Sequence, residues 1–287
     1  MTNRSFDLLQ PRSLQEAVEL LQMHGDESRP IAGGTTLVIL MKQRALHYQY
    51  LVDLQSIPRL SQISRETDGV RIGALVTHRM VENSPAIRQA FPALAEAFGQ
   101  IGNRRVRQTA TVGGNLAHAD NRLDPPPALL VLNAEISVFG PKGSRSITIK
   151  NFFQGMYETA LAPGEILVDV KVPYMPADSR AVYLRYSALS ANDWPCLGVA
   201  GFLSRANGHC KDLRIALGGM APTPLSIGGL ELANDQLLDQ AVVDKVLELV
   251  EQQIAPFSDL RGSEWYKRRM ARVFVKKAIE RLNGGAA

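Results

Sequence analysis

Two short segments carry the residue types that hold a phosphate. Ala32-Gly33-Gly34-Thr35-Thr36 sits between a strand-like and a helix-like stretch, and Thr111-Val112-Gly113-Gly114-Asn115 follows about 80 residues later. A diphosphate needs several backbone N–H groups converging on a small volume. Glycine permits both the backbone conformations and the close approach this requires. A helix N-terminus beside such a loop adds partial positive charge, and Thr35, Thr36 and Asn115 add side-chain donors. Neither segment reads GxxxxGK[ST] or GxGxxG, which argues against a Walker-type loop and a Rossmann site. On these residues alone, two ordinary turns remain an equal reading.

Other chemistry is sparse. The histidines (His24, His47, His78, His118 and His209) are scattered, with no second ligand at metal spacing and no Ser-His-Asp arrangement. Cys196 and Cys210 lack CxxC spacing, so the chain cannot hold a four-cysteine cluster. They read as small apolar side chains. Asp124 precedes Pro125-Pro126-Pro127 and is placed either to cap a helix or to accept hydrogen bonds from a ligand. The basic run Lys267, Arg268, Arg269, Arg272, Lys276 and Lys277 reads as a solvated helix face, with a partner-facing surface as the alternative.

The elements that must position these residues follow from pattern. Ser13 caps a first helix, Glu16 completes a capping box, Leu14, Ala17, Val18 and Leu21 share a face, and Gly25 stops it. Pro30 to Ala32 reads as a strand running into the first glycine segment, Leu37 to Met41 as helix-like, and Leu51 to Leu54 as a strand. Val70 to Ala74 is strand-like, Thr77 is placed to cap a helix, and Pro92 to Phe98 is helical. Ala134–Phe139, Ser146–Ile149 and Ile166–Val172 read as strands. Pro173 to Pro176 is a linker. Ala181–Tyr186, Gly198–Ser204 and Asp212–Leu217 predict an antiparallel sheet, followed by an amphipathic helix around Val242 to Val250 and a last helix capped by Ser263. Helices and strands are segregated rather than alternating, which makes the class α+β.

The 287 residues fit two domains. Hydrophobic residues at 45% can build cores, and charged residues at 21% argue against global disorder. A net charge of +4 is spread along the chain, without the concentrated basic face of a nucleic-acid binder. The first seven residues lack the apolar stretch of a signal peptide and no run approaches a membrane span, so a cytoplasmic protein is expected.

The two glycine segments, extended to Leu37 and through Leu116-Ala117-His118-Ala119-Asp120, resemble the FAD diphosphate loops of the molybdenum hydroxylase flavoproteins. Ile215-Ala216-Leu217-Gly218-Gly219-Met220-Ala221-Pro222-Thr223-Pro224 and Asp259-Leu260-Arg261-Gly262-Ser263, with Tyr266 after it, resemble segments of that family's C-terminal domain. Asn121, Arg122 and Leu123 depart from the pattern just after the second loop, as do Arg104, Arg105 and Ala110 before it. The resemblance implies a two-part FAD-binding domain of the PCMH type over residues 1–175, with parts at about 1–55 and 56–175. A smaller C-terminal domain with an antiparallel sheet and helices would follow over 176–287.

The resemblance further implies non-covalent FAD held by Ala32, Gly33, Gly34, Thr35, Thr36, Thr111, Val112, Gly113, Gly114 and Asn115. Asp124 would lie on the ribityl chain, Leu167 beside the flavin ring, and Arg185 near the flavin as a stabilising cation. The chain would relay electrons to an external acceptor and carry no substrate-directed catalytic residue. An iron–sulfur small subunit holding [2Fe-2S] clusters and a large subunit holding the molybdenum cofactor would complete a dimer of heterotrimers. A self-contained FAD oxidase and a non-enzymatic interaction module are the alternatives.

Overall fold

The computed structural model describes residues 5–284. The chain opens with β1 (Asp7–Leu9), α1 (Leu14–His24), β2 (Ser28–Ile31), α2 (Leu37–Lys42) and β3 (Tyr50–Asp53). These strands form a parallel sheet in the order β1-β3-β2. Ser13 Oγ accepts from the Glu16 amide, while Glu16 closes the start of α1 by accepting from the Arg12 amide rather than from Ser13. Gly25 ends α1 at φ 49°, a conformation that favours glycine.

Next come β4 (Ile63–Arg65), β5 (Gly69–Gly73), α3 (His78–Asn83), α4 (Pro85–Ala90), α5 (Pro92–Gly99), α6 (Arg104–Thr109), α7 (Val112–His118) and α8 (Pro125–Val131). They are followed by β6 (Glu135–Gly140), β7 (Gly143–Thr148), β8 (Phe153–Gly155), β9 (Glu158–Thr159) and β10 (Ile166–Pro173). Five of these strands form an antiparallel sheet in the order β4-β5-β10-β6-β7. Its apolar face packs with α3, α5 and α8 around Phe91, Leu94, Phe98, Leu129 and Phe152.

The last part holds β11 (Ser179–Tyr186), β12 (Leu197–Ala206), β13 (His209–Gly218), β14 (Leu225–Ser226), α9 (Gln240–Gln253) and α10 (Glu264–Leu282). The strands form an antiparallel sheet in that order. From Leu197 to Ser204, β12 is buried on both faces. Strand residues alternate sides, so Ala200 and Phe202 join the core shared with α5 and α8. Val199 and Leu203 join the core under α9 and α10. The C-terminal sheet is therefore a wall between two helical layers, and β11 can reach the N-terminus of α8.

Several sequence expectations shift. The second glycine segment is the first turn of α7 rather than a loop: Thr111 caps it, its Oγ accepting from the Gly114 amide at 3.2 Å. Asn121 and Arg122 stitch parts together. Asn121 donates to the Ala221 carbonyl (2.6 Å) and accepts from the Gly219 amide (2.7 Å), and Arg122 grips Asp120 through two nitrogens. The basic run is not uniformly solvated, because Lys267 is buried. It donates to the Phe257 carbonyl and pairs with Asp259, each at 2.9 Å, while Arg268 and Arg272 form exposed pairs with Glu264 and Glu251. Cys196 and Cys210 are buried and unpaired.

Candidate cofactor cleft

A cleft of ≈ 390 Å³ opens between the three sheet-bearing parts of the chain, walled by the first glycine loop, the start of α7, the Ile101-Gly102 turn and the 192–195 segment of the C-terminal part. Ala32, Gly33, Gly34, Thr35, Thr36, Thr111, Gly114, Asn115, Asp124 and Arg185 all line it. Chain separations of up to about 150 residues thus converge on one volume.

The two glycine segments play different parts. The amides of Gly33, Gly34, Thr35 and Thr36 have no protein acceptor among the described residues. Gly34 holds φ at 66°, which lets successive N–H groups turn toward one side. In the second segment the four amides from Val112 to Asn115 are committed, and only that of Thr111 has no acceptor among the described residues. Val112 N–H donates to the Val76 carbonyl at 2.9 Å, Gly113 to Ala74 at 2.8 Å, Asn115 to Thr111 at 2.9 Å, and Gly114 to Thr111 Oγ. The expected pair of equivalent nests is therefore corrected to one nest, at 33–36, facing a helical wall.

Gly33 packs directly on the backbone before α7. A Cβ there would overlap the Thr109 carbonyl oxygen and lie 2.9 Å from its carbon and 3.1 Å from Ala110 Cα. The two segments touch because Gly33 has no side chain. Gly113 serves the fold instead, since its Cβ would meet Ala74 Cβ at 2.7 Å. It is buried, as is Val112, and neither lines the cleft. Leu167 is also placed elsewhere: it lies in β10 opposite Val138, 5% exposed, in the main core.

Asp124 and Arg185, read independently from the sequence, prove to be partners. Arg185 Nε donates to Asp124 Oδ1 at 2.8 Å, and each side chain is only 5% exposed. Tyr183 stands two residues away on the same face of β11, fully buried, and donates to the same oxygen at 2.7 Å. Burial lifts the Asp124 carboxyl above the ordinary carboxylate range, while Arg185 and Tyr183 pull it back. Asp124 makes no side-chain cap to α8, so the helix-cap reading fails. The remaining Arg185 nitrogens donate to Ser187 Oγ and to the Ala191 and Asp193 carbonyls, which fastens the 187–193 segment along the cleft.

Sequence reasoning missed three wall residues. Trp194 faces Arg122, whose guanidinium lies 5.3 Å from the ring centroid, and Asp193 is gripped by Arg261 at 2.8 Å. Nothing in a single aspartate-tryptophan pair signals this. His78 follows the Thr77 cap of α3, is 1% exposed, and its Nε2 lies 3.1 Å from the Thr111 carbonyl. A carbonyl only accepts, so Nε2 carries the proton. Nδ1 is buried without a partner. Burial drives the His78 pKa down to about 4.

An acid-stability prediction follows from His78. Its folded-state pKa lies below the unfolded value of about 6.5, so neutral His78 stabilises the fold fully above pH 6.5. That contribution is lost as pH falls toward 4, by roughly 3 kcal/mol. Denaturant unfolding across pH 7 to 4 is expected to show this decline, and His78→Gln, which keeps a donor and cannot titrate, is expected to flatten it. An unchanged pH slope in that variant would refute the assignment.

Comparison with known proteins gives a consistent outcome. Residues 4–175 match the family model described as the FAD binding domain in molybdopterin dehydrogenase, and residues 182–282 match the CO dehydrogenase flavoprotein C-terminal domain. The carbon monoxide dehydrogenase medium chain of Afipia carboxidovorans is 34% identical over 284 residues, covering 98% of both chains. The glyceraldehyde dehydrogenase medium chain of Sulfolobus acidocaldarius is 31% identical, covering 96% of this chain and 98% of its own. The solved carbon monoxide dehydrogenase of Hydrogenophaga pseudoflava contains a chain that superposes with a TM-score of 0.95 at 32% identity, with 100% of each chain covered.

Proposed function

The chain belongs to the molybdenum hydroxylase family as its FAD-binding medium subunit, and from that premise we propose that one FAD lies extended in the cleft with its diphosphate on the 33–36 amides. The observation that carries this placement is the run of four unspent amides beside the αL glycine Gly34, opposite a wall whose Val112 to Asn115 amides are already bonded within the protein. The apolar side chains of Leu37, Leu40, Ile101 and Val106 on the cleft wall suit an aromatic ring system, and Asp124 suits polyol hydroxyls.

When bound, FAD supplies two-electron redox chemistry. This chain's residues hold it, orient it and shield it from water. The buried Asp124–Arg185 pair sets no net charge beside it. Arg185 is thus corrected from a free stabilising cation to a neutralised one that anchors the 187–193 segment.

The subunit is an oxidoreductase component: electrons arrive from an iron–sulfur partner and leave to an external acceptor, and the molybdenum centre belongs to a third subunit. The relatives act on substrates as different as carbon monoxide and glyceraldehyde, so this chain does not choose the substrate. We assign residues 1–175 to cofactor binding and 176–287 to the closing domain, a cytoplasmic setting, and a dimer of heterotrimers. No helix among the described residues is long and apolar enough to cross a membrane. Native mass spectrometry of the assembly from its host tests this. The expected mass holds three different subunits, each present twice, with one FAD per copy of this chain. A homo-oligomer of this chain alone would contradict it.

A further inference from the structure

The cleft's ionised groups cancel, with one exception. Asp124 is paired with Arg185, and Asp193 with Arg261. His78 and His118 are driven toward their neutral forms by burial. Arg29, in β2, lines the same cleft, is exposed, and has neither a hydrogen bond nor an ion pair from its side chain among the described residues. It stands three residues before the first loop, and its charge acts on His118 of α7 across the cleft.

The 33–36 amides carry only partial positive charge, and the Val112 to Asn115 amides opposite are committed to the protein. A diphosphate brings full negative charge to this volume. The paired arginines cannot answer it without abandoning their carboxylates, and leaving a buried charge without its partner is strongly unfavourable. An unpaired guanidinium meets no such cost and can donate two parallel hydrogen bonds to phosphate oxygens.

We propose that Arg29 is the counter-charge of the cofactor diphosphate, closing over it from the β2 side. This rests on the reading of the cleft as an FAD site. Arg29 is solvent-exposed and outside the cores, so replacing it leaves the fold intact, and thermal unfolding of the apo-protein checks that.

The experiment titrates FAD and riboflavin into apo-protein of the parent, Arg29→Gln and Arg29→Lys, at low and high salt. Arg29→Gln is expected to weaken FAD binding on the order of 10- to 100-fold at low salt, as for a lost charge-assisted hydrogen bond. The gap should narrow at high salt, because an exposed charge is screened. Arg29→Lys should recover most of the affinity, and riboflavin, which has no phosphate, should bind the parent and Arg29→Gln equally. FAD affinity unchanged in Arg29→Gln, or an equal loss for riboflavin, would overturn the proposal. A parent chain that binds no FAD at all would instead overturn the cleft assignment beneath it.

Discussion

A Gly33→Val chain is expected to purify without flavin and to unfold at a clearly lower denaturant concentration than the parent. The cause is contact between protein segments. Any Cβ at position 33 overlaps the Thr109 carbonyl and presses on Ala110 Cα, both backbone atoms with little freedom to yield. Overpacking of this kind costs about 1–3 kcal/mol, and more where backbone must move. The movement separates the 33–36 amides from α7, so the cofactor loses both sides of its cradle. Gly114 is the control. It is exposed to the cleft, and a Cβ there meets only Thr111 Oγ, at 3.0 Å. Gly114→Ala should keep parental stability within about 1 kcal/mol, with its effect confined to FAD affinity. A Gly33→Val protein that retained stoichiometric flavin would remove the first loop from the site.

The second large effect is expected at Asp124. Asp124→Ala leaves the Arg185 guanidinium buried without its counter-ion and the Tyr183 hydroxyl without an acceptor. Breaking a buried pair from one side costs about 3–5 kcal/mol. The apo-protein should lose that much stability, and FAD binding should weaken too, because the 187–193 segment is fastened through the same arginine. Asp124→Asn keeps an acceptor for Tyr183 and should fall between. Equilibrium unfolding with and without FAD separates the two effects. Parental stability in Asp124→Ala would show that the pair contributes nothing to the fold.

The sequence made the glycine segments visible because φ > 0 and close approach leave a residue-type signature. The caps of α1, α3 and α10 were legible for a similar reason: Ser13, Thr77 and Ser263 each sit where an oxygen must satisfy a free amide. Partnership was not legible. Asp124 and Arg185 are 61 residues apart, and nothing local says that β11 crosses the start of α8. The Val112 and Gly113 amides are taken by Val76 and Ala74, which arrive from another strand end, so their commitment could not be read from Thr111 to Asn115. Lys267 shows the same limit. Its position in a basic run hides a buried ion pair that only the turn at Phe257 to Asp259 creates. Arg29 escaped notice because a lone arginine in a short strand has the appearance of an ordinary solvated residue.

The most direct measurement of the relay is anaerobic spectroscopy of the FAD-loaded chain, alone and after addition of the iron–sulfur and molybdenum subunits from the same host. Each sample is challenged with carbon monoxide, aldehydes and nitrogen heterocycles, and the flavin's visible absorption is followed. The flavin of the isolated chain is expected to stay oxidised with every substrate. It should bleach with at least one of them only when both partner subunits are present. Bleaching in the isolated chain would contradict the relay and make this chain a self-contained oxidase.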